Sequence, residues 1–344
     1  MSVSKVSGVA WSDVSKVNGV SNADVNKVLG VEAASSPAPS LTTDNLWIDI
    51  RPYVGVSGTT ITDQSGNGRN ASLINSASVT TTPTNETAFY VDGVSQAVLY
   101  SITSSSEKPS TGFPFTTEVW MYRDDTQNST ASIAVWGKPQ NSRYRNFYTV
   151  MVDDDATAFG TDGMRFFPRF YTNLVTDNDN DFRDEGLSEV GLPSVTGQDS
   201  GVVGSPSSPH TYTLSSDTSD HTWYHLVTSF YENSNGELSM DFWVNGVNMF
   251  SGFKNTKNQN GNGDNVIINA AYPWEGNVGS ASPSDDGFCP MEWGIGKVSR
   301  GDFNGGGGVD YYDGYYGGYR MYTKKLTNAE VSNNFNATKT NYGY

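Results

Sequence analysis

The chain has 344 residues, 36 % of them hydrophobic and 12 % aromatic, enough apolar side chain for one large core or two modest ones. Lys and Arg number 21 against 37 Asp and Glu, a net charge of −16, so phosphate backbones and anionic bilayers are repelled and neither nucleic acid nor membrane is an expected partner. The single cysteine, Cys289, excludes an intrachain disulfide framework and a multi-cysteine metal site.

Charged residues make up only 17 % of the chain, glycine occurs 36 times, and Ser, Thr and Asn are abundant. That balance favours strands and turns over long helices, so the expected class is all-β. The chain opens on a repeat of eleven residues, Val3 to Asp13, Val14 to Asp24 and Val25 to Ser35, in which Val, Lys, Val, Gly and Val return in register. An Asp before each of the later units and a Gly after the Val-x-x-Val pair read as cap and stop, which predicts three short helical turns. One continuous helix is disfavoured by a Gly in every unit and so many valines. Val14, Val17, Val20, Val25, Val28 and Val31 would then form a common apolar side that docks on another surface, because so short an array cannot bury it alone. No run in this region has the length of a secretory h-region, so if the protein works outside a cell it is expected to leave without a Sec-type signal, by lysis or a dedicated secretion system.

Residues 1–31 are thus expected to anchor, 32–40 (Glu-Ala-Ala-Ser-Ser-Pro-Ala-Pro-Ser) to link, and 41–344 to form the main domain. Within that domain strand-like runs recur between Gly, Asn and Asp turns: Leu46 to Ile50, Thr59 to Thr62, Ala88 to Val91, Ala97 to Ile102, Phe115 to Tyr122 and Ser132 to Trp136. They continue with Phe147 to Val152, Met164 to Tyr171, Thr222 to Tyr231, Glu237 to Val244, Trp293 to Val298 and Tyr315 to Tyr322. Short alternating runs of this kind predict a two-layer antiparallel sandwich. Polar stretches at 172–209 and 254–290 read as long loops, which compact domains keep mainly for function. Leu326 to Val331 reads as a helix, with Thr327 and Glu330 at capping-box spacing.

Candidates for chemistry lie along the same path. Asp63 heads a Ser-Gly-Asn-Gly turn and suits either an Asx-type turn former or a calcium ligand. Asp177, Asp179 and Asp181 offer oxygens at alternate positions, although an EF-hand would need Gly where Phe182 stands and Glu where Ser188 stands; an irregular calcium site or a solvated acidic loop remains. Tyr311, Tyr312 and Tyr315 follow a glycine run. Flat rings beside Asp and Asn suit a sugar's CH face, while alternate tyrosines equally suit cross-strand packing. Tyr272 and Trp274 are further loop aromatics of the same kind. For hydrolysis two carboxylates should flank the scissile bond; Glu118 is the strand-borne candidate, no second acid follows at suitable spacing, and no enzymatic activity is expected.

Several blocks together carry a resemblance. Asp63 to Ala71, Ala88 to Val94, Phe113 to Met121, Trp223 to Val227 with Leu238 to Val247, and Gly318 to Tyr322 leading into Leu326 to Val331 resemble, in order, the laminin-G-like, concanavalin A-like jelly roll. The resemblance implies an antiparallel two-sheet jelly-roll sandwich and a calcium ion, although Gly317 stands where the family often carries an acid. The Val-Ser-Lys-Val-Asn-Gly-Val units resemble segments that open structural proteins of tailed bacteriophages. Together these imply a virion component, a fibre, spike or head-decoration protein. It would be held by its repeats to other virion proteins as a homo-oligomer, a trimer being natural on a symmetric particle, and would bind host-surface glycans. A secreted adhesin or carbohydrate-binding module outside the cell is the alternative, and a glycan-cleaving hydrolase or lyase a third.

Overall fold

The structure is a computed structural model. It describes residues 5–6, 9–10, 16–17, 20–21, 39–102, 107, 109, 114–122, 131–132, 136–139, 145–153, 165–172, 212–213, 223–234, 238–254, 291–296, 310–311 and 313–344. The chain divides into two compact units, Met1–Ser40 and Leu41–Tyr344.

In the first unit the first two repeats are hairpins, which corrects the expectation of helical turns there; the third repeat lies outside the described residues. Strand β1 (Lys5–Val6) pairs antiparallel with β2 (Val9–Ala10), and β3 (Lys16–Val17) with β4 (Val20–Ser21). The physical reason was in the sequence. Each Val-x-Gly-Val puts two residues, Asn18-Gly19 in the second unit, between valines that are stiff at χ1 and prefer extended backbone, and Asn-Gly between such residues is the strongest local hairpin signal. Val17 and Val20 face one another across the ladder as register partners. Val14, Val25, Val28 and Val31 lie outside the described residues.

The second unit is an all-β sandwich of two sheets, with one short α-helix among the described residues. One layer, here the front sheet, contains β5 (Leu46–Ile50), β9 (Ser78–Thr81), β10 (Thr87–Asp92), β12 (Phe115–Tyr122), β18 (Trp223–Glu232), β19 (Leu238–Val244), β20 (Val247–Lys254) and β23 (Asp313–Tyr322). Their order is β20-β19-β18-β12-β23-β10-β9. The long β23 is flanked on one side by β12 and on the other first by β10 and then by β5. The back sheet contains β6 (Val56–Ser57), β7 (Thr60–Ile61), β8 (Ala71–Ile74), β11 (Ala97–Ile102), β13 (Ala131–Ser132), β14 (Trp136–Pro139), β15 (Arg145–Asp153), β16 (Arg165–Thr172), β17 (Tyr212–Thr213), β21 (Met291–Gly296) and β22 (Asp310–Tyr311). It runs β17-β16-β15-β14-β21-β11-β8-β7-β6, with β13 joining β15 to β22. Every described pair is antiparallel except β13 with β22.

Alternation along the strands sends one set of side chains into the space between the sheets. Ile48, Phe89, Val91, Val119, Met121, Leu226, Phe230, Tyr316 and Tyr319 of the front sheet meet Val98, Ile102, Trp293 and Ile295 of the back sheet in one buried cluster. Trp293 stands edge-on to both Trp47 and Phe115. The opposite face of the front sheet is covered in part by helix α1 (Asn328–Thr338) and the 3-10 turn Lys339–Tyr342. The expected capping box starts this helix: Glu330 N–H donates to Thr327 Oγ1 at 3.3 Å, and Thr327 N–H to Glu330 Oε2 at 2.9 Å. The helix then continues to Thr338, beyond the predicted Val331, because Val331 and Phe335 each find a buried aromatic or apolar partner beneath them.

Leu46–Ile50, Ala97–Ile102 and Phe115–Tyr122 form at the predicted bounds. The run expected at Ser132 to Trp136 instead contributes to two strands, β13 and β14. Strands β8 and β9 were not predicted, because Ser, Thr and Asn hide their apolar alternation. The interiors of the stretches expected as long loops lie outside the described residues.

Candidate functional site

The outer face of the front sheet has a covered part and an open part, and the candidate residues divide between them. Under α1, successive alternate positions of β12 bring Glu118, Trp120 and Tyr122 to this face. Glu118 is fully buried, with Arg320 on one flanking strand and His225 on the other. Its Oε1 accepts from Arg320 Nη1 and lies 3.0 Å from His225 Nε2. Its Oε2 accepts from Asn334 Nδ2 of the helix at 2.8 Å. Arg320 Nε lies 3.0 Å from Asp49 Oδ1, and Asp49 also pairs with Arg51. A buried ionic chain therefore runs across four strands, β18, β12, β23 and β5, and is closed from above by an amide.

Burial pushes the Glu118 carboxyl up, but the Arg320 guanidinium, with His225 and Asn334, overrides this and holds it at about 2. A depressed folded-state value means that the ionised group stabilises the fold above the ordinary carboxyl range, near pH ~4.3, and that this contribution fades as pH falls towards the folded-state value. Urea denaturation of the wild type and Glu118→Gln between pH 7 and pH 2 should show a stability gap that narrows on the acid side. A pH-independent gap would contradict an ionised Glu118 in the fold. A carboxylate with no accessible surface cannot approach a scissile bond, so the strand-borne acid singled out for hydrolysis sits in a structural clamp.

The open part is a row of rings. Tyr90 of β10 is the register partner of Tyr315 on β23, Tyr315 of Tyr122 on β12, and Tyr122 of Trp223 on β18. Ring centroids are separated by 5.3 Å, 5.7 Å and 5.3 Å along that row, within the range for favourable aromatic pairs. Trp223 then meets Tyr342 at 4.6 Å, and Tyr342 stacks on Trp120 at 4.3 Å. Burial grades along the row: Tyr122 and Trp223 are buried beneath the C-terminal segment, while Tyr90 and Tyr315 are half-buried.

Carboxylates border the row, Asp313 and Asp92 at its open end and Glu86 beside the buried Trp223. Tyr90 Oη donates to Asp313 Oδ1 at 2.8 Å. This bond, with burial, pushes the phenol up to about 12, so it stays protonated at neutral pH. Asp92 is the register partner of Asp313, so two acids stand directly opposite one another on neighbouring strands. Like charges in that relation destabilise a sheet. Burial pushes the Asp92 carboxyl up, but backbone N–H groups of Ser95, Gln96 and Val94 hold it below the usual range. Glu86 accepts from the Thr82 and Thr84 hydroxyls at 2.5 Å and from Trp223 Nε1 at 3.4 Å. Those bonds override burial and lower its carboxyl as well.

Of the sequence-derived ligand candidates, Tyr315 belongs to this open row. Tyr311 is placed by its backbone on β22, whereas Tyr312, Tyr272 and Trp274 lie outside the described residues. Asp63 is buried in its turn. Its Oδ1 accepts from Asp49 N–H and Ser65 N–H, both at 2.9 Å, and its Oδ2 from Ser65 Oγ at 2.6 Å and Arg69 N–H at 3.0 Å. Four protein donors on one carboxylate make it the latch that ties this turn to β5. Asp177, Asp179 and Asp181 lie outside the described residues. Sequence reading missed Tyr90, Asp92 and Asp313; their alternation on β10 and β23 was visible, their adjacency was not.

No protein-family model matches this sequence, and the comparison with curated proteins gives no match. Among solved structures, the chain is similar to the binding domain of a botulinum neurotoxin of serotype D/C, with a TM-score of 0.43 and 8 % identity over 86 % of this chain and 52 % of that one. It is likewise similar to the binding domain of Paraclostridial Mosquitocidal Protein 1, at 0.40 and 12 % over 85 % of this chain and 52 % of that one. A Trypanosoma rangeli sialidase mutant displaying trans-sialidase activity gives 0.46 and 11 % over 89 % of this chain and 35 % of that one. The chain thus spans about half the length of the toxin domains and about a third of the sialidase. At these similarities the likenesses carry no argument about function, which rests on the chain's own residues.

Proposed function

We propose that this chain is a surface-binding protein of a bacteriophage particle, anchored by its N-terminal hairpins and binding host-surface glycans through the outer face of the front sheet. The half-buried Tyr90–Tyr315 pair, with Asp313 beside it, carries the binding part. Rings held at 5.3 Å and tilted by 56° to one another on adjacent strands form an angled aromatic cleft in which one ring can take a pyranose CH face, and the neighbouring carboxylate offers an acceptor to its hydroxyls. The anchoring part is supported by the repeats themselves. Two hairpins with strands of two residues each are marginal on their own in water, so their order calls for a surface to pack on. A symmetric particle would seat several copies, three around one axis being the simplest arrangement.

Two measurements test the two halves. The full chain should be recovered in purified virions, and a chain lacking residues 1–40 should not. Recovery of both in equal amounts, or of the full chain from cell surfaces alone, would remove the anchoring role. On a glycan array the full chain should bind, and Tyr315→Ala should weaken its best ligand by about tenfold, the loss expected for one ring contact. Unchanged binding in Tyr315→Ala and Tyr90→Ala would move the site elsewhere.

A further inference from the structure

We infer that the Tyr90–Tyr315 cleft takes the terminal sugar unit of a glycan chain rather than a unit from its interior. This rests on the glycan-binding reading and adds which part of the glycan is bound. The row of rings is open over only half its length. Tyr90 and Tyr315 are half-buried, whereas the next two rings, Tyr122 and Trp223, are 0 % and 2 % exposed. A sugar stacked on Tyr315 therefore meets a wall on the Tyr122 side.

That wall is the turn from Thr82 to Glu86, between β9 and β10. Thr84 Oγ1 donates to Tyr122 Oη at 3.3 Å, and Glu86 Oε2 takes the Thr82 and Thr84 hydroxyls and the Trp223 indole N–H, so the turn is fastened to both covered rings. It is also closed on itself, because Thr82 N–H donates to Glu86 O and Asn85 N–H to Thr82 O, each at 2.9 Å. Along the strands the next positions on this face are Ala88, which is fully buried, and Gly317, where a Cβ would lie 2.5 Å from Tyr342. The turn and the C-terminal segment meet, since a Cβ on Gly343 would lie 3.1 Å from Glu86 Oε1. On the far side of Tyr90 stands Ser78, its register partner on β9, the last described strand of the sheet. A chain passing straight over the cleft, across the strands or along them, runs into one of the two barriers. A chain end needs only the one open approach.

The test is calorimetric titration of the full-length protein with neutral oligosaccharides of glucose, galactose, mannose and N-acetylglucosamine, each from monomer to hexamer. In a series that binds, affinity per chain should level off at the dimer, with the hexamer within about twofold of it. Affinity that climbs steadily to the hexamer, as when a longer chain offers more internal positions, would overturn the inference and leave the glycan-binding reading intact. Thr84→Gly combined with Glu86→Ala removes the wall and keeps Tyr90 and Tyr315. This variant, shown to be folded by thermal melts, should regain length dependence, the hexamer gaining about tenfold over the dimer for one further ring contact. A folded double variant that keeps the plateau would also overturn the inference, and if the variant does not fold the wild-type length series decides alone. Failure of every series to bind would remove the glycan-binding reading, and the inference with it.

Discussion

Arg320→Met should be among the most damaging single substitutions in this protein, costing about 3–5 kcal/mol, as expected when one partner of a buried ionic group is removed. Arg320 is fully buried and touches both Glu118 and Asp49. Without it Glu118 retains His225 and Asn334, and Asp49 retains the half-exposed Arg51. The loss should appear as a lower urea midpoint with an unchanged slope, since the surface exposed on unfolding stays the same. Combining Arg320→Met with Glu118→Gln should cost less than the sum of the two, because the second change removes the carboxylate that the first leaves under-compensated. Strict additivity would show that the two side chains do not act on one another in the folded protein.

Gly317→Ala is the second. On β23, Val119 of β12 pairs with Tyr319 while Met121 pairs with Tyr316, so Gly317 and Gly318 together oppose Trp120 in a bulge. A Cβ at Gly317 would lie 2.5 Å from Tyr342 Cε1 and 2.6 Å from Trp120 Cβ. Those two rings stack at 4.3 Å, and Tyr342 Oη accepts from Gly318 N–H at 2.7 Å. The alanine must therefore push the C-terminal turn off the sheet or displace a fully buried tryptophan, an overpacking cost of about 1–3 kcal/mol. Weakened near-ultraviolet circular dichroism and a shifted tryptophan emission should accompany the lower melting temperature. In a Tyr342→Ala background the same substitution should cost clearly less. An equal cost in both backgrounds would place the strain elsewhere.

Gly317 also shows how a position can be legible in one sense and opaque in another. The resemblance marked it as a departure from an acidic position, and the structure supplies a packing reason for the departure: no side chain fits beneath Tyr342. Much of the scaffold was readable because it is local. Alternation identified Leu46–Ile50, Ala97–Ile102 and Phe115–Tyr122, and the Thr327/Glu330 spacing marked the start of α1. The helical reading of the repeats gave weight to Asp and Gly as cap and stop, and too little to valine stiffness and a two-residue connection. Of the site, Tyr315 was singled out and its partners were not.

What the chain's order of residues determined by itself was the class, the periodicity that assigns side chains to alternate faces, and the caps and turns, all of which depend on neighbours a few residues apart. What only the tertiary structure decided was which faces meet. Arg320 reaches Glu118 across 202 positions, and Tyr90 reaches Asp313 across 223. Such pairings follow from strand order and register, and a shift of one residue in either would turn these side chains to the opposite face. One acid thus became a buried clamp and another the rim of an open aromatic face, although both read alike as acids on alternating strands.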